Sequence, residues 1–112
     1  MRITKHAKER IKERHEDIDS LAMAERNAKI AFRSGLTISD VSKVSEALAN
    51  YMRAKKRRNG SNATIRIYQN YVYVWRGDNH RLVTMHPLPE KFQEKGPELL
   101  VQAKEMRAER GK

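Results

Sequence analysis

His6, Arg10 and Arg14 stand four residues apart within ITKHAKERIKERHE, positions 3–16. On an α-helix that spacing aligns the three side chains along one edge. The residue types suit chemistry on phosphate. Histidine gives or takes a proton near neutral pH. Arginine holds two phosphate oxygens at once and keeps its charge. RNA supplies its own nucleophile, the 2′-hydroxyl. Metal-independent cleavage therefore needs only a base, an acid and cations for the charge gathering on phosphorus. His6 is the candidate acid or base, and Arg10 and Arg14 are the candidate phosphate holders. His86 and Tyr73, with Thr84, are further candidates from a later stretch of strand character. Each well-placed acid or base contributes roughly 100- to 10,000-fold in rate. A purely structural role competes with this reading. Glu9 and Glu13 can pair with Lys5, Lys12, Arg10 and Arg14 along the same helix, at about 0.2–0.5 kcal/mol a pair.

Other chemistries find no foothold. The chain has no glycine-rich phosphate loop and no dinucleotide fingerprint. Its histidines, at 6, 15, 80 and 86, lack zinc-ligand spacing, and there is no cysteine. No serine triad or carboxylate pair has a supporting context. No metal and no cofactor is expected.

The balance of charge points to a polyanion. Lys and Arg number 24 against 14 Asp and Glu, a net charge of +10. Nucleic acid is the first class of partner, RNA ahead of DNA, and an acidic protein face the second. The run Arg53, Lys55, Lys56, Arg57, Arg58 is a phosphate-contacting patch with no sequence specificity of its own. No apolar run reaches the length of a membrane span, so no membrane partner is expected. Missing cysteines fit a reducing compartment, and charges occupy the N-terminus where a signal peptide needs an apolar core. The expected location is cytoplasmic.

The elements that must position these groups follow from periodicity. The 112 residues, 38% hydrophobic and 34% charged, suit one domain. Residues 1–58 read as mainly helical, 62–88 as an antiparallel β-meander, and 97–110 as a C-terminal helix. The first helix covers 4–16, with a thin apolar stripe at Ile3, Ala7 and Ile11. A second covers 20–34, with Leu21, Ala24, Ala28, Ala31 and Phe32 on one face and Gly35 as its stop. TISD at 37–40 forms a capping box with Asp in place of Glu. Val41, Val44, Leu48, Tyr51 and Met52 then continue a third helix until Gly60.

Period-2 alternation places strands at 63–68, 71–76 and 81–86. A turn at Gln69-Asn70 pairs Tyr68 with Tyr71, Arg66 with Tyr73 and Thr64 with Trp75. A loop at 77–80 pairs Trp75 with Leu82, Val74 with Val83, Tyr73 with Thr84, Val72 with Met85 and Tyr71 with His86. On this register one face carries Ile65, Ile67, Val72, Val74, Val83 and Met85, a core face for the helices. The other carries Arg66, Tyr68, Tyr71, Tyr73, Trp75, Thr84 and His86. That face either packs its aromatics across strands, under the C-terminal helix, or lies open to stack RNA bases. The fold expected is α+β: N-terminal helices on one face of a three- to four-stranded antiparallel sheet, plus a C-terminal helix.

ITKHAKERIKER and IRIYQNYVYVWRGDNHRLVTMHPLP together resemble a group of small proteins of phages and mobile elements. That group is similar to the barnase/RelE-like, or BrnT-like, toxin superfamily. The resemblance spans roughly residues 3 to 89. It rests on the His-x3-Arg-x3-Arg helix, an Ile-Arg-Ile-Tyr strand, a Tyr-Val-Tyr-Val strand and a Leu-Val-Thr strand ending at proline. It implies an α+β scaffold with metal-independent ribonuclease relatives. It also implies a location for active groups, at His6, Arg10 and Arg14 and at Leu82, Val83 and Thr84.

Three readings follow. The first is a basic RNA-binding protein acting as a toxin-like ribonuclease, with an antitoxin-like partner. The second is a non-catalytic phage-encoded effector that binds and inhibits a host defence or ribonucleoprotein complex. The third is a DNA-binding regulator using the helices at 20–34 and 39–55. Scarce base-reading groups on the second of those helices count against it.

Overall fold

The computed structural model describes Lys5, Glu9, 19–77 and 80–110. Lys5 and Glu9 are helical and exposed. His6, Arg10 and Arg14, and with them most of the expected first helix, lie outside the described residues.

Helix α1 runs from Asp19 to Ser34. Its Ala28 and Ala31 are buried, so small side chains let its backbone lie close to the sheet. The chain leaves α1 at Gly35, whose N–H donates to the Ala31 carbonyl (2.8 Å). A side chain here would strike that same carbonyl and come within 2.9 Å of the Arg66 Cβ. Glycine is required by this close approach. Leu36 then pairs with Ile67 through two backbone hydrogen bonds, 2.8 and 3.1 Å, as an isolated antiparallel bridge.

The capping box forms as expected. Asp40 N–H donates to Thr37 Oγ1 (3.1 Å) and Thr37 N–H to Asp40 Oδ2 (3.0 Å). It opens only a short helix, α2 (Ile38–Ser42). The single third helix expected here is divided. Ser45 takes an extended backbone and its hydroxyl accepts from Leu48 N–H (3.2 Å), capping a new helix, α3 (Glu46–Asn59). The apolar spacing runs through the break, so periodicity alone hides it.

The sheet has three antiparallel strands in the order β1 (Thr64–Tyr68), β2 (Tyr71–Arg76), β3 (Arg81–Pro87). Gln69 and Asn70 have φ of 50° and 67°, the pair of positive values that a type I′ turn needs. The three expected β1–β2 pairs form, with Ile65–Val74 and Ile67–Val72 between them. The β2–β3 register departs from expectation. Trp75 pairs with Leu82, but Val74 then pairs with Thr84, Tyr73 with Met85, Val72 with His86 and Tyr71 with Pro87. Val83 is the extra residue of a β-bulge. One additional residue exchanges the faces of everything beyond it. Met85 joins the aromatic face, and Thr84 and His86 move to the aliphatic face.

A one-turn helix, α4 (Glu90–Gln93), and α5 (Gly96–Arg110) complete the described chain. Both faces of the sheet are covered. On one, Ile65, Ile67, Val72 and Val74 pack with Val41, Leu48, Ala49 and Met52 and with Leu100 and Ala103 of α5. On the other, Tyr73, Trp75, Leu82 and Met85 pack with Ala28 and Ala31 of α1. The fold is α+β with helices packed against an antiparallel sheet, as expected, and the helices are divided between its two faces. No helix among the described residues is long and apolar enough to cross a membrane.

Candidate functional site

The aromatic face is closed by α1. Trp75 has no exposed surface, and the Phe32 ring stands edge-on to it with centroids 5.1 Å apart. Tyr73 is buried too and stacks on Trp75 at 5.9 Å. A base cannot reach either ring, so the stacking role expected of Trp75 is excluded by its burial. Burial also pushes the Tyr73 hydroxyl up to about 12, with smaller contributions from Tyr71 and Tyr68. It is therefore a protonated phenol at neutral pH and cannot act there as a base. Tyr68 and Tyr71 remain half-buried at the margin, with the Lys104 ammonium 6.0 Å from the Tyr68 ring.

His86 belongs to the opposite face, apart from Tyr73. Its Nδ1 lies 2.7 Å from the Pro87 carbonyl, which can only accept. The neutral ring therefore carries its proton on Nδ1, leaving Nε2 as the acceptor for the Tyr51 hydroxyl at 3.3 Å. Burial raises the Tyr51 pKa, and the positive charge of Arg58 opposes that rise. Tyr51, seven residues before Arg58, shares its side of α3. Phe92 leans on Tyr51 with centroids 5.9 Å apart, and the Lys91 ammonium lies 5.1 Å from the Phe92 centroid. The result is a half-buried imidazole held between the Pro87 carbonyl and the Tyr51 phenol, with the Arg58 charge felt at that phenol. Such a set can move a proton next to a bound phosphate.

The basic run ends α3, where the helix dipole favours cations. Successive residues are about 100° apart around a helix, so Lys55, Lys56, Arg57 and Arg58 encircle its last turn. Arg57 and Arg58 are exposed. The Arg58 charge is felt at Tyr51, while Lys56 borders a cleft at the β1 edge and gives a hydrogen bond to the Ser61 carbonyl (3.3 Å). Arg53 is engaged already, 2.6 Å from Glu46 Oε1 and 2.7 Å from Asn50 Oδ1. Its ion pair is solvent-exposed, and a phosphate can displace such a pair at small cost. Arg66, on β1, is half-buried and donates to the Ile65 carbonyl (2.9 Å). Its pKa is lowered by burial, with Asp40 acting in the other direction.

Of the residues singled out from the sequence, the structure ties His86 to Tyr51 on α3 and separates it from Tyr73 and Trp75 on the other face of the sheet. Tyr51 was read as a core residue, and its tie to His86 becomes visible only once the bulge sets the faces. Comparison with models of known families, with curated proteins and with solved structures found no match, so the functional reading rests on these residues themselves.

Proposed function

We propose that this chain binds RNA, chiefly through its phosphates, at the cationic end of α3. The observation that supports this most directly is the ring of Lys55, Lys56, Arg57 and Arg58 around one helix terminus in a chain of net charge +10. With Trp75 and Tyr73 buried, affinity comes from backbone charge and not from base stacking on the sheet. The test is fluorescence anisotropy of a labelled single-stranded RNA across a salt series. Log affinity should fall with log salt by about 0.7 per phosphate contact. Neutralising Lys55, Lys56, Arg57 and Arg58 to Gln should weaken binding and flatten the slope. Absence of binding at low salt, or binding indifferent to the four substitutions, refutes the proposal.

A second reading, metal-independent cleavage of the bound strand, is favoured by the His86–Tyr51 hydrogen bond and the Arg58 charge acting on Tyr51. The 2′-hydroxyl proton would pass through the Tyr51 hydroxyl to His86 Nε2. The 2′-oxygen would attack phosphorus to form a 2′,3′-cyclic phosphate. The P–O5′ bond would break with water protonating the departing O5′, and Arg58 would hold the phosphate. RNA is the substrate this geometry suits, because DNA lacks the internal nucleophile. Incubation with varied RNAs in EDTA checks it, comparing wild type with His86→Ala and His6→Ala. Cleavage lost in His86→Ala supports a centre at His86. Intact RNA, or cleavage unchanged by that substitution, removes this reading and leaves binding.

A further inference from the structure

Beside the β1 edge lies a cleft of about 250 Å³ lined by Thr37, Ile38, Ser39, Lys56, Ala63, Thr64, Ile65 and Arg66. We propose that this cleft is a phosphate seat, taking one backbone phosphodiester of a bound RNA strand between Lys56 and Arg66. The inference deepens the RNA-binding reading and rests on it.

The cleft exists because the edge of the sheet is only partly filled. Leu36 pairs with Ile67, and the chain then turns away into α2. Peptide groups alternate in direction along a strand. Since Ile67 N–H and C=O face Leu36, those of Ile65 face the same edge, alongside residues 37–39. The Ile65 carbonyl accepts from Arg66 Nη1 (2.9 Å), which holds the guanidinium at the rim. The Ile65 N–H is aimed into the same space.

Charge and chemistry agree with this geometry. Lys56 and Arg66 bring two cations from separate elements, and their hydrogen bonds within the protein, to the Ser61 and Ile65 carbonyls, leave further N–H groups for a ligand. Burial destabilises the Arg66 charge, so an anion arriving here offsets a cost already present. Thr37, Ser39 and Thr64 add hydroxyls. Asp40, whose carboxylate also acts on Arg66, accepts from the Thr37 N–H at 3.0 Å and lies 3.5 Å from Arg107, so its charge is shared among several partners. The capping box uses the Thr37 and Asp40 amides, so the short α2 terminus plays no part. The cleft also adjoins the α3 cations, since Lys56 belongs to both. A strand crossing Arg57 and Arg58 can therefore place a neighbouring phosphate in it.

Two measurements test this. In the first, isotope-labelled protein is titrated with inorganic phosphate and followed by amide NMR. The Ile65 and Thr64 amides should shift saturably, and Lys56→Gln/Arg66→Gln should abolish the response. In the second, single-stranded RNA is bound across a salt series by wild type, by Lys56→Gln/Arg66→Gln, and by the equal-charge control Lys91→Gln/Lys95→Gln. Loss of the seat should reduce the salt slope by about 0.7–1.4, one or two phosphate contacts, with affinity falling more than in the control. If wild type binds RNA but the cleft variant behaves as the control does, the seat is refuted while the RNA-binding reading stands. If phosphate shifts Ile65 but no RNA binds, the RNA-binding reading falls and the proposed RNA phosphodiester falls with it. No saturable shift at Ile65 and Thr64 refutes the seat outright. Amide spectra of Lys56→Gln and Arg66→Gln singly show whether each variant keeps the fold.

Discussion

Trp75 and Tyr73 show how burial decides what a residue type can do. Both belong to types that stack bases on open sheets, and here both are enclosed by α1. Trp75 is the single tryptophan, so its fluorescence reports this site alone. Its emission should be blue-shifted and poorly quenched by acrylamide, and saturating RNA should leave it unchanged. A large quench on RNA binding would mean that the aromatic face opens. Tyr73 carries a pH consequence. Its hydroxyl is raised from an ordinary value of 10.0 to about 12, chiefly by burial. The folded state therefore holds this proton more tightly than the unfolded state does. The sign follows: the contribution is fully present below pH 10 and is lost as pH rises through about 12. Tyr73→Phe removes the titrating group, so alkaline unfolding should shift to higher pH in that variant. Denaturant melts at pH 8 and at pH 11 measure it. The stability gap between variant and wild type should move in favour of the variant at the higher pH.

At the level of elements, the bulge at Val83 decides which side chains of β3 share a face. Without it, Tyr73, Thr84 and His86 would share one face, as regular alternation predicts. With it, His86 meets Tyr51 of α3. This gives an unusual expectation for a deletion. Removing one residue from a strand normally turns its remainder inside out. Removing Val83 leaves Leu82 next to Thr84, restores regular alternation, and keeps Met85 and His86 on their present faces. The deletion should fold, losing only the partial burial of one valine and the bulge geometry, about 1–2 kcal/mol. Deleting Arg66 from β1, which has no spare residue, should unfold the domain. Circular dichroism melts of the two variants distinguish them; equal damage in both would mean that Val83 is not the extra residue. The same strand shows what can be read from a sequence. Tyr68-Gln-Asn-Tyr71 specifies a two-residue turn, and turn chemistry with alternation sets every β1–β2 pair. The β2–β3 connection is longer, and nothing in RLVTMHP marks the bulge, since either face accepts Val83 or Met85. The break before α3 is hidden for a related reason. Ser45 can cap a helix or sit within one, and only the Leu48 amide bonded to its hydroxyl decides. The cations Lys55 to Arg58 are legible as a run because a cluster of charge in sequence needs no register to bring it together. The Tyr51–His86 pair is not, because it depends on a register set far from Tyr51 in the chain.

For the molecule as a whole, one side chain from the last helix ties the N-terminal half together. Arg107 donates to the Ser34 carbonyl (2.9 Å) and the Gly35 carbonyl (3.2 Å), and its Nη1 lies 3.5 Å from Asp40 Oδ2. The two carbonyls sit at the end of α1, where helix carbonyls lack intrahelical donors and the dipole is negative. A cation supplied by α5 satisfies both. The aspartate it also reaches belongs to the capping box of α2. Arg107 thus joins three helices at the place where the chain passes from α1 to the β1 edge. Its interactions are partly solvent-exposed, so their worth is set by hydrogen bonding more than by Coulomb attraction. Arg107→Ala should therefore lower stability by about 1–2 kcal/mol in denaturant unfolding, with an unchanged slope against denaturant. Arg107→Lys keeps the charge but cannot fork between two carbonyls and a carboxylate, so it should recover less than half of the loss. Asp40→Asn combined with Arg107→Ala should show coupling of no more than about 1 kcal/mol, because the carbonyl bonds outlast the carboxylate. A coupling near the full effect of Arg107→Ala would instead make the ion pair the principal tie. The geometry argues otherwise: the shortest of the three contacts goes to Ser34, at the end of α1.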